Sequence, residues 1–410
     1  MCSTGVDQDE TQPLTKAEVD RKITDLRKHR IAGRTVRDDL SAPVDEDVRV
    51  DESPGTTKLV LVADGVDVSW ATVVHFEQQI GGSTVRMGGI AEVGTHDQHR
   101  FKGYSTRVLE NSLCWMRQNG FHTSMLYGIP SYYPKFGYAK AFPTVTFNMA
   151  VRDAESASAA DYTFSPFVPT LHLSAVLRMY RLANERSTGV NRRLKKHWRI
   201  FQRGLSWNSS AIVEMVLDKN AKPVGYIAFD DRGQAANVIE VGYTTPKVFS
   251  AFLRRAAEFA WQQRLERIQF HLPEDLAFTI YCRGFGLRME NTFPADGGGM
   301  VRLIHVPGAF QAVKDELAQR VRRHGALTIR TNLDDVSLTW ADGDMEVSSP
   351  VPSYPSVRLP QWALAQMLYG YLNTDALRAT GVLRGTAATC KILDQLLPVH
   401  PHYHYAADHF

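Results

Sequence analysis

From residue 58 onward, apolar and polar positions alternate with a period of two. Residues 58–65 (KLVLVADG), 69–80 (SWATVVHFEQQI) and 83–95 (STVRMGGIAEVGT) therefore read as three strands, the last two separated by Gly81-Gly82, a pair that lets the chain reverse tightly. An antiparallel meander is predicted. After Gly103 the period changes: Leu109, Leu113 and Met116 recur at helical spacing, and Asn119-Gly120 marks the helix end. The next strand is predicted at 122–128 (HTSMLYG). Upstream, residues 1 to about 14 are polar and read as a loose arm before a short charged helix near 15–30. The polar stretch RDDLSAPVDEDVRVDESPGTT that follows shows no opening strand.

The same order returns more weakly downstream. Residues 180–189 are predicted as a helix, 211–218 and 223–230 as strands, and 237–245 as a strand leading into a helix at 247–264 and a strand at 268–272. YYPKFGY is echoed by IYCRGFGL, and the repeated order implies an internal duplication. From about Val306 a third block follows, with a helix at 310–323, strands at 325–332 and 335–343, and an amphipathic helix at 359–372. It reads as an α+β domain.

The length, 410 residues, suggests two or three domains, and 44% hydrophobic with 22% charged residues is ordinary for a globular chain. Lysine plus arginine exceeds aspartate plus glutamate by 47 − 44 = 3, too little to imply a nucleic-acid partner. Cys2, Cys114, Cys282 and Cys390 have no paired spacing, so neither a disulfide framework nor a zinc knuckle is expected. The N-terminus lacks a signal-peptide pattern and no run of about 18 apolar residues occurs. A cytoplasmic protein with no membrane partner is expected.

The chemistry-bearing segment is 89–106, GIAEVGTHDQHRFKGYST. Val93, Gly94 and Thr95 close a strand, and Arg100, Phe101, Lys102, Gly103, Tyr104 and Ser105 form an Arg-x-x-Gly-x-Ser turn from which a helix starts at once. Backbone N–H groups at a helix start have no internal partners, and the helix dipole favours an anion there. Gly103 permits close backbone approach, and Arg100 and Lys102 add charge-assisted bonds, so the turn reads as a pyrophosphate cradle. About thirty residues on stands SMLYGIPSYYPKFGYAKA, a strand, a short tyrosine-rich helix and a Phe136-Gly137-Tyr138 turn.

Together these segments resemble the acetyl-CoA-binding and acceptor segments of the GNAT superfamily of N-acetyltransferases. From about residue 58 to 410 the chain is similar to its Eis-type (enhanced intracellular survival) branch. The resemblance implies an α+β fold class: two tandem acetyltransferase (GNAT-like) folds, the second degenerate, then a sterol-carrier-protein-like α+β domain. The divisions are expected at 1–147, 148–304 and 305–410. It implies an acetyl-CoA-dependent N-acetyltransferase acting on a small-molecule or peptide amine such as an aminoglycoside, a polyamine or a lysine, without a metal and as a homohexamer. Val93, Gly94 and Thr95 would pair with the pantetheine amides, Phe101 through Thr106 would wrap the pyrophosphate, and Tyr133 and Pro134 would lie beside the thiol.

By the same resemblance, Tyr138 is the general acid and the α-carboxylate of the terminal Phe410 the general base. A phenol with a reference pKa of about 10 can protonate a departing thiolate, and a carboxylate can relieve an ammonium acceptor of its proton. Glu92 is the competing base, and strand alternation would place it on the opposite face from Val93. No cysteine lies in these turns, which favours direct transfer over an acyl-enzyme. The alternatives are a non-catalytic acyl-CoA-binding regulatory protein and a lipid carrier working through the third domain.

Weaker signals remain. Thr245-Pro246-Lys247-Val248-Phe249 stands where a second cradle would need glycine, and proline offers no N–H, so the second block reads as a scaffold. His400, His402, His404 and His409 alternate as metal ligands can, but without partners at a defined spacing metal is the minor reading. Arg192, Arg193, Lys195, Lys196 and Arg199 read as a solvated helix face. Trp362, Leu364, Met367, Leu368 and Leu372 resemble the lipid-facing helix of sterol carriers, and read more simply as a filled core helix.

Overall fold

The computed structural model describes residues 40–410 apart from 130, 196, 197, 199, 207 and 294–297. The expected arm and helix within 1–30 lie outside the described residues, as do Lys196 and Arg199 of the basic run.

The meander forms as its alternation predicts: β1 (Val48–Ser53), β2 (Thr56–Ala63), β3 (Val66–Ile80) and β4 (Ser83–Thr95) pair in antiparallel succession. The strand β1 has no counterpart in the sequence reading. As an edge strand it buries Val48 alone and exposes or half-exposes the other five residues, so its hydrophobic pattern is silent. Helix α1 (Tyr104–Gln118) buries Val108, Leu109, Leu113 and Met116 against this sheet, and β5 (Thr123–Tyr127) follows, with β6 (Ala139–Phe142) further on.

A second set of elements continues the chain: β7 (Thr144–Ala150), α2 (Val151–Glu155), β8 (Thr163–Pro166), α3 (Pro169–Ala183), β9 (Ala211–Leu217), β10 (Pro223–Asp230) and β11 (Ala236–Tyr243). Then come α4 (Phe249–Gln262), β12 (Arg267–Phe270), α5 (Ala277–Cys282), β13 (Arg288–Thr292) and β14 (Gly299–Leu303). The helix expected at 180–189 lies earlier, at Pro169–Ala183. Pro169 supplies its first turn, Leu173, Val176, Met179 and Tyr180 its buried stripe, and proline at a helix start is favoured because its missing N–H is an orphan there anyway.

The two sheets trade strands. The first has the order β1-β2-β3-β4-β5-β14-β6 and the second β13-β7-β12-β11-β10-β9-β8. Thus β14 slots antiparallel between β5 and β6, with Val301 opposite Met125 and Ala139, while β7 slots between β12 and β13. Divisions at 147/148 and 304/305 therefore do not coincide with sheet membership: β7 crosses the first, and β14 belongs to the first sheet. Hydrogen bonds of both ladders need the exchanged strands to be complete.

The last block contains α6 (Val306–Ala318), β15 (Gly325–Arg330), β16 (Val336–Ala341), β17 (Asp344–Ser348), β18 (Ser356–Arg358), α7 (Gln361–Leu368), α8 (Thr374–Ala379) and α9 (Ala387–Leu396). Its four strands make a separate sheet, β17-β16-β15-β18. Leu364, Met367 and Leu368 of α7 are fully buried in a core that also takes Met87, Met125 and Val301 from the first sheet, with Trp362 packed at its edge. The helix is a core helix, and its apolar face is filled by the protein itself.

Beyond α9 the chain becomes a tail threaded between the blocks. His402 bridges Thr188, Tyr403 N–H donates to the Thr188 carbonyl, and Tyr405 enters the second core. Gly189 is required beside it: its φ is +88°, and a Cβ would come within 2.6 Å of the Phe142 ring and 2.8 Å of the Tyr403 carbonyl. No helix among the described residues is long and apolar enough to cross a membrane.

Candidate active site

Strands β4 and β5 run parallel through Met87–Thr123, Gly88–Ser124 and Gly89–Met125, and the gap opens beyond. There β4 bulges. Its pairing with β3 jumps from Ala91–Thr72 to Gly94–Trp70, and Glu92 sits at φ +49°. A bulge breaks the period of two. Glu92 and Val93 consequently line one cavity, which corrects the expectation that strict alternation sends them to opposite faces. The Thr72 hydroxyl donates to Glu92 Oε2 at 3.1 Å.

The turn beyond leads into α1. Gly103 is the residue before the helix, with φ +80°, and no side chain caps the first turn. A Cβ at Gly103 would meet nothing within 4 Å, so the backbone angle rather than crowding selects glycine. Arg100 pairs with Asp97 at 2.8 Å, and Phe101 is 75% exposed at φ +66°. The Tyr132 hydroxyl donates to Ser105 Oγ at 2.8 Å, fixing the tyrosine-rich segment to the first turn of the helix. Lys102 is exposed, and Tyr104 and Thr106 are half-buried at the helix start. Uncapped N–H groups, a glycine and nearby cations suit a pyrophosphate.

A cavity of about 630 Å3 opens at the splay. Glu92, Val93, Tyr127 and Tyr133 form one wall, a loop of the second fold at residues 203–206 with His271 another, and the tail with His409 and Phe410 closes it. The Phe410 ring lies 5.2 Å from Phe76 and 6.0 Å from Tyr127, centroid to centroid. It lies close enough to β4 that a Cβ on Gly89 would come within 2.7 Å of it. On the other face, a Cβ on the adjacent Gly88 would collide with Met116 of α1. The two glycines thus admit the helix on one side and the terminal residue on the other. A second cavity of about 450 Å3, bounded by Phe76, Phe121, Trp198 and Asp408, meets the other side of Phe410.

Two tyrosines occupy different situations. Tyr138 is 3% exposed, its hydroxyl is 2.6 Å from Ser124 Oγ, and Ser124 donates in turn to the Gly88 carbonyl at 2.7 Å. Burial pushes its phenol well above the usual range. It is not among the cavity-lining residues, whereas Tyr133, with Pro134 in the short helical turn Tyr133–Phe136, is. The sequence reading gave the acid role to Tyr138. Between the two tyrosines stands the left-handed Gly137, φ +77°, and their rings lie edge to face at 6.3 Å. Burial raises the Tyr133 phenol also, so it holds its proton at neutral pH.

The tail's histidines pack against backbone carbonyls and aromatic rings. His404 Nδ1 lies 3.1 Å from the Gly189 carbonyl, and His402 Nδ1 is 3.1 Å from the His400 carbonyl. The His409 ring sits 4.3 Å from Tyr127 and stacks with His404 at 5.6 Å. Burial, with His404 and Arg203 nearby, pushes His409 down to about 3. No cluster able to hold a metal occurs among the described residues. In the second fold the Thr245 side chain accepts from Lys247 N–H at 3.4 Å and Pro246 opens a short turn before α4, whereas α4 itself, from Phe249, has no side-chain cap.

Among the described residues of the basic run, 192–195 are not helical. Arg192 is exposed and 3.7 Å from Glu77, but the Arg193 side chain is only 1% exposed and paired with Glu240 and Asp408. Sequence reasoning placed Arg193 on a solvated face and missed Glu240, Asp408 and Gly89. Their partners are 47 to 321 positions away, and no local spacing signals such pairs.

Residues 45–141 match the model of the acetyltransferase (GNAT) domain. No curated protein matches the chain. Among solved structures, a protein of unknown function from Enterococcus faecalis described as a probable N-acyltransferase is 14% identical, with a TM-score of 0.72 over 87% of this chain and 90% of that one. A GCN5-related N-acetyltransferase from Anabaena variabilis is 18% identical, with a TM-score of 0.68 over 86% and 89%. Eis1 from Mycobacterium abscessus is 15% identical, with a TM-score of 0.59 over 97% and 98%. The chain therefore carries a GNAT acetyltransferase domain at residues 45–141, set within a fold that it shares over most of its length with these structures.

Proposed function

We propose that the protein transfers an acetyl group from acetyl-CoA directly to an amine in the cavity at the β4/β5 splay, with the Phe410 α-carboxylate as base and Tyr133 as acid. The observation that carries this reading is the docking of Phe410 onto Gly89, at the wall of the cavity that also holds Glu92, Val93 and Tyr133.

Acetyl-CoA, when bound, supplies the thioester carbonyl that the amine attacks. Val93, Gly94 and Thr95, on the segment of β4 that has left β5, would hold its pantetheine amides. Residues 101–106, with the uncapped start of α1, would hold its pyrophosphate, and Arg100 would add charge at the rim. The Phe410 carboxylate would take a proton from the acceptor ammonium, because an α-carboxyl is ionised at neutral pH. Tyr133 Oη would give its proton to the departing sulfur. In this reading the C-terminal block carries Phe410 to the first fold.

Release of free thiol from acetyl-CoA is expected with at least one class in a panel of aminoglycosides, polyamines, lysine peptides and simple amines. Acetyl-CoA binding without amine-dependent release from any of them would instead identify an acyl-CoA-binding protein. One residue added after Phe410 moves the carboxylate by about 3.3 to 3.6 Å, beyond proton-transfer reach, so activity should collapse while cofactor binding persists. Full activity in the extended protein, combined with loss in Glu92→Gln, would move the base to Glu92.

A further inference from the structure

The tail reaches the first fold by way of the second. Arg193, buried between them, forks to both Glu240 oxygens at 2.7 and 2.6 Å through its two terminal nitrogens. Its Nε and one terminal nitrogen donate to Asp408 at 2.8 and 3.1 Å. The guanidinium stacks over Tyr180 at 3.8 Å and Trp198 at 4.3 Å. The Tyr226 hydroxyl donates to Glu240 at 2.6 Å, and the Tyr180 hydroxyl to Asp408 at 3.4 Å. A planar fork with five donors can join two carboxylates in this way, whereas an ammonium cannot reproduce the geometry.

The position of Glu240 gives this cluster its meaning. Parallel pairing in the second fold ends at Val238–Phe270, as it ends in the first at Gly89–Met125. Glu240 is two residues past that point, where the first fold has Ala91 on the cavity wall. The strand that opens a cavity in one copy thus presents, in the other, a carboxylate that is 0% exposed. Tyr405 is fully buried in the core of the second fold, and its hydroxyl donates to Asn184 Oδ1 at 3.1 Å. Asp408 precedes Phe410 by two residues, a reach of about 7 Å.

We propose that the second fold serves as the dock of the catalytic terminus and that Arg193 is its positioning residue, tying Asp408 to Glu240 so that Phe410 is set on Gly89. The inference rests on the reading of Phe410 as the base. Neither Arg193 nor Glu240 touches substrate in it; both act through Phe410.

Removing the guanidinium outright strands two buried carboxylates and risks unfolding. Two milder variants are therefore used on the full-length protein: Arg193→Lys, and Asp408→Asn, which leaves Arg193 and Glu240 charge-balanced. Three quantities are read: kcat and the acetyl-CoA KM, the thermal midpoint, and removal of Phe410 by a carboxypeptidase, followed by mass spectrometry. The expected result is a fall in kcat of roughly tenfold or more, because small displacements of a reacting group are costly. The acetyl-CoA KM should stay within about twofold while Phe410 is trimmed much faster than in the wild type. Wild-type kcat, or lost activity with Phe410 still protected, overturns the proposal. So does trimming that appears only with a collapsed midpoint and lost acetyl-CoA binding, which would make Arg193 a general stability residue. If the wild type releases no thiol with any amine, the catalytic reading fails, and the trimming assay still decides whether Arg193 holds the terminus.

Discussion

Tyr133 and Tyr138 are five positions apart, and of the two only Tyr133 lines the cavity. The Tyr138 hydroxyl is hydrogen-bonded to Ser124 and buried, while Tyr133 stands at the cavity wall. Tyr133→Phe should lower kcat by about 10²-fold with little change in acetyl-CoA binding. Tyr138→Phe removes one buried hydrogen bond and should cost about 1 kcal/mol of stability, with turnover changed only a few-fold. Steady-state kinetics and denaturant melts on the two variants test this, and the reverse ranking would return the acid role to Tyr138. At this scale the sequence shows which tyrosines are candidates, since the segment itself is conspicuous. It does not show which hydroxyl is hydrogen-bonded inside the protein, because Ser124 belongs to β5 and meets Tyr138 only in the folded chain.

The elements that shape the site are β4, α1 and the tail, and two glycines separate their contributions. At Gly103 the constraint is conformational: any other residue must adopt φ near +80° at the start of α1, a strain of roughly 1–2 kcal/mol. Gly103→Leu should therefore weaken acetyl-CoA binding at least tenfold through backbone strain and occlusion of the cradle. At Gly89 the constraint is contact, because a Cβ falls 2.7 Å from the Phe410 ring. Gly89→Val should displace the terminal residue and reduce kcat by about 10²-fold while acetyl-CoA affinity stays near wild type. Isothermal titration and turnover on the two variants should show these opposite signatures; a shared loss of cofactor binding would mean that both glycines serve the cradle. The Gly103 turn is legible because a strand-turn-helix cradle is local. The role of Gly89 is not, since its partner lies 321 positions later.

Across the whole molecule, burial of neutral histidines makes stability depend on pH. Burial holds His409 down to about 3, and His122 and His271 down to about 4. In the unfolded chain each takes a proton near pH 6.5, whereas the folded protein refuses it. Stability contributed by these groups is thus complete above about pH 6.5. It falls on acidification by about 1.4 kcal/mol per pH unit for each histidine, down to its folded value. The thermal midpoint should drop steadily from pH 7 to 5, and the His409→Phe variant should drop less steeply. A midpoint unchanged over that range would mean that these rings are solvated.

Local sequence pattern determined much of this protein: the meander of β2, β3 and β4, the stripe of α1, the strand order of the second block and the strand-turn-helix step after β4. Each depends on residues within a few turns of one another, where spacing and backbone preference act directly. Tertiary structure alone decided that β7 and β14 change places between the sheets, that a bulge brings Glu92 and Val93 to one cavity, and that Arg193 is buried between Glu240 and Asp408. A strand's alternation shows that it has a buried face but not which ladder completes it, and a basic run reads as solvated until distant carboxylates are folded against it. The physical reason is that hydrogen-bond ladders and buried charges are satisfied by partners the chain brings from far away, and no local pattern records them.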